Sequence, residues 1–298
     1  MGRATNDADG FSPRVTPGVS EFFEASDGTR LHYLQWSIEL TQPSAVVVFL
    51  HGIASHAGWF TETAVALSTQ GVAVYGLDRR GSGLSRGRRG HLARFERAID
   101  DLDEFIEMVR SLHPRTPVFL AASSWAAKLG VVYAADRPVG LAGMMLLGPG
   151  LMPTVDLSLP ERVAVVVGHT IAPKAPIAIP LRPEQYTADP RFRDLVRNDR
   201  LRLLTATTRF FWETFRLDRR RGRASGSLDL PLLVLQGEDD AMMDVPKTRS
   251  WFFSLRNADK TYKAYPGAGH TLDFDRVVDQ YRADMLDWLS ARAAPVGA

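Results

Sequence analysis

The sequence predicts an α/β fold, a mostly parallel central sheet flanked by helices and interrupted by a helical insertion. Three observations carry this. Short β-branched apolar runs alternate with amphipathic segments from Ala45 to Leu147, the rhythm of βαβ units. Those runs are apolar throughout rather than at every second position, as strands buried on both faces must be. The rhythm then breaks at about Leu151 and resumes at Leu230, with no convincing strand between.

The first core strand is the run from Ala45 that reads AVVVFLHG and ends in His51-Gly52. A helical segment follows from Trp59 to Gln70, stopped by Gly71, and Val72 to Asp78 is the second strand. A Gly- and Arg-rich loop, DRRGSGLSRGRRGH, precedes helical spacing from Phe95 to Leu112 with acidic residues on the outer face. Val118 to Ala122 is a strand, Trp125 to Ala135 a helix, and Leu141 to Leu147 a strand closed by Gly-Pro-Gly. The interruption contains several prolines, an apolar piece from Val163 to Val167 and two Arg-rich helical stretches. Strand character returns at Leu230 to Gly237 and Thr261 to Tyr265, before a last amphipathic helix from about Arg276 to Leu289. The predicted organisation is therefore a lead-in over 1–18, a core over 19–150 and 226–298, and an insertion over 151–225. The charge run Arg219 to Arg223 reads as a solvated loop where the insertion rejoins the core.

Composition narrows the function classes. The 298 residues are 45% hydrophobic and 23% charged, enough for a large buried core. A formal charge of +2 is too small to imply nucleic acid. With no cysteine there is no disulfide, no thiolate metal site and no Cys nucleophile. The polar lead-in has no apolar stretch of the kind a secretory signal needs, and no run of about eighteen apolar residues occurs anywhere. The expected location is cytoplasmic, with no metal and no cofactor.

The third strand runs directly into AASSWAAKLG. A serine on a sharp strand-to-helix turn is a nucleophile elbow, normally G-x-S-x-G, whose flanks must be small because neighbouring backbone crowds them. Around Ser124 the flanks are Ala122 and Ala126; around Ser123 one flank would be Trp125, which cannot fit. Ser124 is the candidate nucleophile. A serine that merely caps the following helix is the competing reading.

Such a serine needs a base and an acid, in the chain order Ser, Asp or Glu, His. Of seven histidines only His270 lies beyond the late strands, in the loop YPGAGH. The acid must come from the loop after LPLLVLQG, where Asp240 has the G-x-x-D spacing from Gly237. Asp239 is the runner-up, and Asp244 suits a helix start. An oxyanion would need two backbone N–H donors, about 3 kcal/mol each. The candidates are Trp125, which follows the nucleophile, and Ile53 after His51-Gly52, with His51 and Gly52 also near the substrate.

Five blocks in this order resemble the monoacylglycerol lipase and lysophospholipase-like branch of the α/β-hydrolases. They are HGIASH (His51 to His56), LDRRGSGLSRGRRGH, ASSWA, QGEDD and YPGAGH. The departure is the elbow, where alanine replaces both glycines. The resemblance covers about Glu21 to Leu289 and implies a cap domain over about Leu151 to Ser225. It also implies hydrolysis of monoacylglycerols, lysophospholipids or related small-molecule esters without a metal or cofactor.

Within the insertion, Phe210, Phe211, Trp212 and Phe215 are candidates for an acyl pocket, or equally for the insertion's own core. Arg209, Arg216 and Arg219 could meet an anionic head group or a membrane surface through weak contact of the cap, or could simply be solvated. Thioester, carbon–carbon and peracid chemistry share the same triad. A non-catalytic binder on the same fold is the reading from a different class.

Overall fold

Ten strands occur in the computed structural model, which describes residues 18–36, 42–137 and 140–293. They are β1 (Val19–Glu24), β2 (Arg30–Trp36), β3 (Ala45–Leu50), β4 (Val72–Leu77), β5 (Val118–Ser123), β6 (Gly143–Leu147), β7 (Pro176–Ala178), β8 (Thr205–Thr207), β9 (Leu232–Gly237) and β10 (Lys260–Tyr265). Eight form one sheet in the order β1-β2-β4-β3-β5-β6-β9-β10. All neighbours from β4 to β10 run parallel, whereas β1–β2 and β2–β4 are antiparallel. The predicted lead-in lies outside the described residues apart from Gly18.

The continuous apolar runs behave as expected. Every residue of β3, β4, β6 and β9 is buried. Alternate side chains feed two cores. Val46, Val48, Leu50, Leu120 and Ala122 pack with helices α2 (Phe95–Leu112) and α3 (Ala126–Asp136) on one face. Val47, Phe49, Phe119 and Ala121 pack on the other face with α1 (Thr61–Ser68) and the C-terminal helix (Val278–Ser290). The parallel connections bring the carboxyl ends of β3, β4, β5, β6, β9 and β10 to one edge, where groups from distant parts of the chain can meet.

Between β6 and β9 lie four helices: α4 (Leu159–Ile171), α5 (Pro183–Tyr186), α6 (Pro190–Asn198) and α7 (Thr208–Ala224). The core helices then resume with α8 (Val245–Ser254) and α9 (Val278–Ser290).

Two expectations need correcting here. The interruption does contain strands: β7 and β8 pair antiparallel over three residues each, too short to leave a periodic signal. The run Arg219 to Arg223 is not a loop but the end of α7. There Arg220 pairs with Asp136 and Arg221 is buried beside Asp218, so carboxylates from two helices neutralise what reads as a solvated charge run. The N-terminal hairpin β1–β2 was not predicted. Five of the six residues of β1 are exposed, so this edge strand carries no buried-face pattern.

Candidate active site

Ser124 stands between the end of β5 and the start of α3 with φ of +52°, and it is the one non-glycine residue with positive φ among those described. That conformation costs on the order of 1–2 kcal/mol and persists only where surroundings impose it. They do so from β6: the Ser124 N–H donates to the Leu147 carbonyl at 3.0 Å, and the Gly150 N–H donates to the Ser124 carbonyl at 2.8 Å. A Cβ at Gly150 would lie 2.7 Å from the Ser124 carbonyl carbon, which explains the glycine that closes the strand. Ala122 and Ala126 are both fully buried beside the turn, and their methyl groups fit. The helix-cap reading does not hold, since Trp125 occupies the cap position and no side chain bonds the first turn of α3.

The Ser124 Oγ lies 2.9 Å from His270 Nε2, and His270 Nδ1 lies 2.8 Å from Asp240 Oδ2. A carboxylate only accepts, so the proton sits on Nδ1 and Nε2 is left to accept from the serine hydroxyl. Asp240 is held from all sides. Gln236 Nε2 donates to Oδ2 at 2.9 Å, and the N–H groups of Met242 and Met243 donate to Oδ1 at 2.9 and 3.2 Å. Asp239 is exposed and does not take part; its N–H donates to the Ala268 carbonyl. Asp244 caps α8, accepting from the Lys247 N–H at 3.0 Å.

Among the described hydrogen bonds, neither the Ile53 nor the Trp125 N–H has an acceptor, and both residues line the cavity that reaches Ser124. A Cβ on Gly52 would stand 2.9 Å from the Ser124 Cβ, so only glycine lets the β3 loop come this close. His51 departs from expectation. It is wholly buried, does not line the cavity, and spans the loop: its Nε2 accepts from the Arg79 N–H at 3.0 Å and its Nδ1 donates to the Gly52 carbonyl at 2.9 Å. Burial, then the neighbouring Arg79 cation, hold its pKa well below the ordinary range, so it is neutral. Its two ring nitrogens are both taken up within the loop and its neighbour Arg79.

Arg79 is the residue the sequence reading missed. From the end of β4 its guanidinium donates to the carbonyls of His51 (3.2 Å), Gly52 (2.7 Å) and Ile53 (3.2 Å), and it lies 4.7 Å over the Trp125 ring. Burial lowers its pKa to about 9. The available signal was an arginine directly after a buried strand at the functional edge, concealed in an Arg-rich run. Its neighbour Arg80 has ordinary partners, Asp101 and Asp27.

A cavity of about 510 Å³ opens from Ser124 beneath the segment between β6 and β9. Phe211, Trp212 and Phe215 line it, whereas Phe210 does not; it is buried against Trp125, with ring centroids 5.1 Å apart. The aromatic cluster thus divides between pocket and core. Arg209 and Arg216 are both committed to the buried Glu213, at 3.1 and 2.7 Å, and Arg216 also to Glu96 at 2.9 Å. Arg219 is exposed, its guanidinium 5.8 Å from the Phe215 ring. Among the described residues no group of His, Cys, Asp and Glu could hold a metal ion, and no helix is long and apolar enough to cross a membrane.

Sheet order, elbow and the Ser–His–Asp line define an α/β-hydrolase fold carrying a serine-hydrolase site. The chain belongs to the family described as serine aminopeptidase, S33, whose model matches residues 41–277. Among curated proteins it is 29% identical to a monoacylglycerol lipase of Mycolicibacterium smegmatis, over 90% of this chain and 95% of that protein. It is 27% identical to a monoglyceride lipase of Mus musculus, over 96% and 97%. Among solved structures, a soluble variant of the Saccharomyces cerevisiae monoglyceride lipase in complex with a substrate analogue superposes with a TM-score of 0.84. That match has 20% identity and covers 96% of this chain and 99% of that one, which speaks for the fold.

Proposed function

We propose that this chain is a serine hydrolase that cleaves carboxylic esters of single-chain lipids, monoacylglycerols first among them, through an acyl-enzyme on Ser124. The observation that carries it is the unbroken line Asp240–His270–Ser124, which ends with Ser124 in the wall of a mainly apolar cavity. The cavity volume lies in the ligand-pocket range of roughly 300–1,000 Å³. The names of the full-length relatives point the same way.

The steps follow from the geometry. His270 Nε2 takes the Ser124 proton as Oγ attacks the ester carbonyl, and Asp240 stabilises the imidazolium without taking its proton. The oxyanion is received by the Ile53 and Trp125 N–H groups, preorganised donors that need no reorganisation during reaction. His270 then protonates the leaving alcohol, and a water activated by the same nitrogen releases the acid. In this reading residues 151–225 act as a cap that selects the substrate. An aminopeptidase would need a carboxylate for the substrate ammonium, and each of the cavity's two, Asp218 and Asp156, already faces a cation, Lys128 and Arg162, that would repel it.

A weak contact of the cap with lipid surfaces belongs to the same proposal. On α4, Leu159, Val163, Val166, Val167 and Ile171 are all at least half exposed, and Val166 also borders the cavity.

The test is a panel of p-nitrophenyl esters from acetate to palmitate, with monoacylglycerol and lysophospholipid, on wild type and Ser124→Ala. Thioester, carbon–carbon and peracid substrates belong in the same panel because they share the triad. Turnover that survives in a folded Ser124→Ala protein, or no reaction of Ser124 with a fluorophosphonate, would defeat the proposal, the latter in favour of a non-catalytic binder.

A further inference from the structure

One buried cation in the cavity wall has no part in the steps above. Lys128 follows Ser124 by four residues on α3, about one helical turn away. Its side chain is 5% exposed, yet it lines the cavity, and its ammonium donates to Asp218 Oδ2 on α7 at 2.6 Å. An ammonium has three donors, and the described hydrogen bonds use one.

The partner side is also incomplete. Asp218 Oδ1 and Arg221 Nε are buried without a hydrogen-bond partner, 3.5 Å from one another. Lys128, Arg221 and Asp218 together leave one net positive charge. Arg221 stands behind the wall, while Arg162 and Asp156, which line the cavity with Lys128 and Asp218, pair with each other at 2.7 Å and cancel. Burial holds the Lys128 ammonium below its usual pKa, and this shift is what a bound anion would relieve. A mainly apolar wall thus presents the spare donors of one ammonium, with the Arg221 charge behind it.

We propose that Lys128, poised by Asp218 and Arg221, is a subsite for an anionic oxygen group of the substrate, a carboxylate or phosphate. The inference rests on the ester-hydrolase reading and narrows it: substrates would be esters with an apolar body and one anionic group that reaches this wall. The anion could be carried on the acyl chain, as in the half-ester of a dicarboxylic acid, or on the alcohol, as in a lysophosphatidate. The competing role for the pair is a tether between α3 and α7.

Two series separate these outcomes. The first compares p-nitrophenyl esters of ω-carboxy acids with methyl-ended acids of equal length. The second compares lysophosphatidate with monoacylglycerol of the same acyl group. The measured quantity is the ratio of kcat/KM for the anionic member to that for its neutral counterpart. We expect a ratio above one in one series; in the first it peaks at a single chain length. A hydrogen bond to a charged group makes this a change of about ten- to a hundredfold, lost in Lys128→Met and kept in Lys128→Arg. Asp218→Asn, which removes the competing carboxylate, raises the ratio.

The proposal is overturned if wild type cleaves neutral esters with no anionic preference in either series. It is equally overturned if the ratio is the same in Lys128→Met as in wild type, the result a tether gives. If Lys128→Met fails to fold, Asp218→Asn decides, and a ratio no higher than wild type rejects the subsite. Failure to cleave any ester, anionic or neutral, instead strikes at the hydrolase reading itself.

Discussion

The Arg79 guanidinium donates to the Gly52 carbonyl at 2.7 Å while lying 4.7 Å above the Trp125 ring, so one buried cation joins the backbone of the β3 loop to the side chain that follows Ser124. By taking the carbonyls of three successive residues it fixes those peptide planes, and with them the direction of the Ile53 N–H. Arg79→Met leaves the donors in place but frees the loop. The expected result is a fall in kcat of about ten- to a hundredfold, less than the ~10²–10³ for loss of a donor itself, with KM little changed. Affinity for a trifluoromethyl ketone should fall in parallel, since a transition-state mimic reads the same donors. Arg79→Lys should recover little, because an ammonium lacks the planar fork. An unchanged inhibitor constant would show that the clamp serves stability alone.

Ser124 combines function with backbone strain, so two substitutions should separate the two. Ser124→Ala removes the hydroxyl, keeps the strained φ of +52°, and should abolish ester turnover with a native-like circular dichroism spectrum. Ser124→Gly is equally inactive but relieves the strain, since glycine adopts positive φ freely. It should melt above Ser124→Ala, by about 1 kcal/mol less the entropy glycine loses on folding. A Ser124→Gly protein that melts below Ser124→Ala would show that the strain relieved is smaller than the entropy glycine loses.

The acid assignment gives a sharper pair. Asp240→Asn keeps the volume but offers an amide to His270 Nδ1, favouring the wrong tautomer, and a loss of about 10³–10⁴ in kcat is expected. Asp239→Asn should stay within about twofold of wild type, because that side chain is exposed and lies outside the triad. Steady-state kinetics on one p-nitrophenyl ester suffices, and the reverse pattern would move the acid to Asp239.

The parts legible in the sequence are those a local rule constrains. Continuous apolar runs located β3, β4, β5, β6 and β9 because burial on both faces leaves no room for a polar position. The choice of Ser124 over Ser123 followed from crowding at the turn, which the buried Ala122 and Ala126 make concrete. What escaped depends on partners distant in the chain. Arg79 gains its meaning from carbonyls on another strand's loop, and Lys128 from Asp218 on α7, ninety residues away. His51 looked like a substrate contact because it adjoins Gly52, but its ring turns away to bridge Arg79 and the loop. The division of Phe210 from Phe211 and Trp212 depended on where α3 packs, which helical spacing alone does not specify.

Asp273, three residues beyond His270, gives a pH dependence with a definite sign. Burial pushes its pKa up to about 6, although the Thr63 hydroxyl donates to its Oδ1 at 2.6 Å and opposes the rise. The folded protein therefore holds a proton that the unfolded chain has already lost across the interval from the usual carboxylate range to about pH 6. Stability from this group is present in full below that interval and declines as pH rises through it, because the folded state binds the extra proton. Asp273→Asn keeps an oxygen to accept from Thr63 and cannot ionise. It should match wild type in melting temperature near pH 4 and exceed it at pH 8. The gain should be on the order of 1 kcal/mol, since the residue is partly exposed. Thermal melts of both proteins across that range provide the measurement. An asparagine variant less stable than wild type at pH 8 would show that the ionised carboxylate is favoured there, with Arg282, bonded to Thr63 at 3.1 Å, as the cation that compensates it.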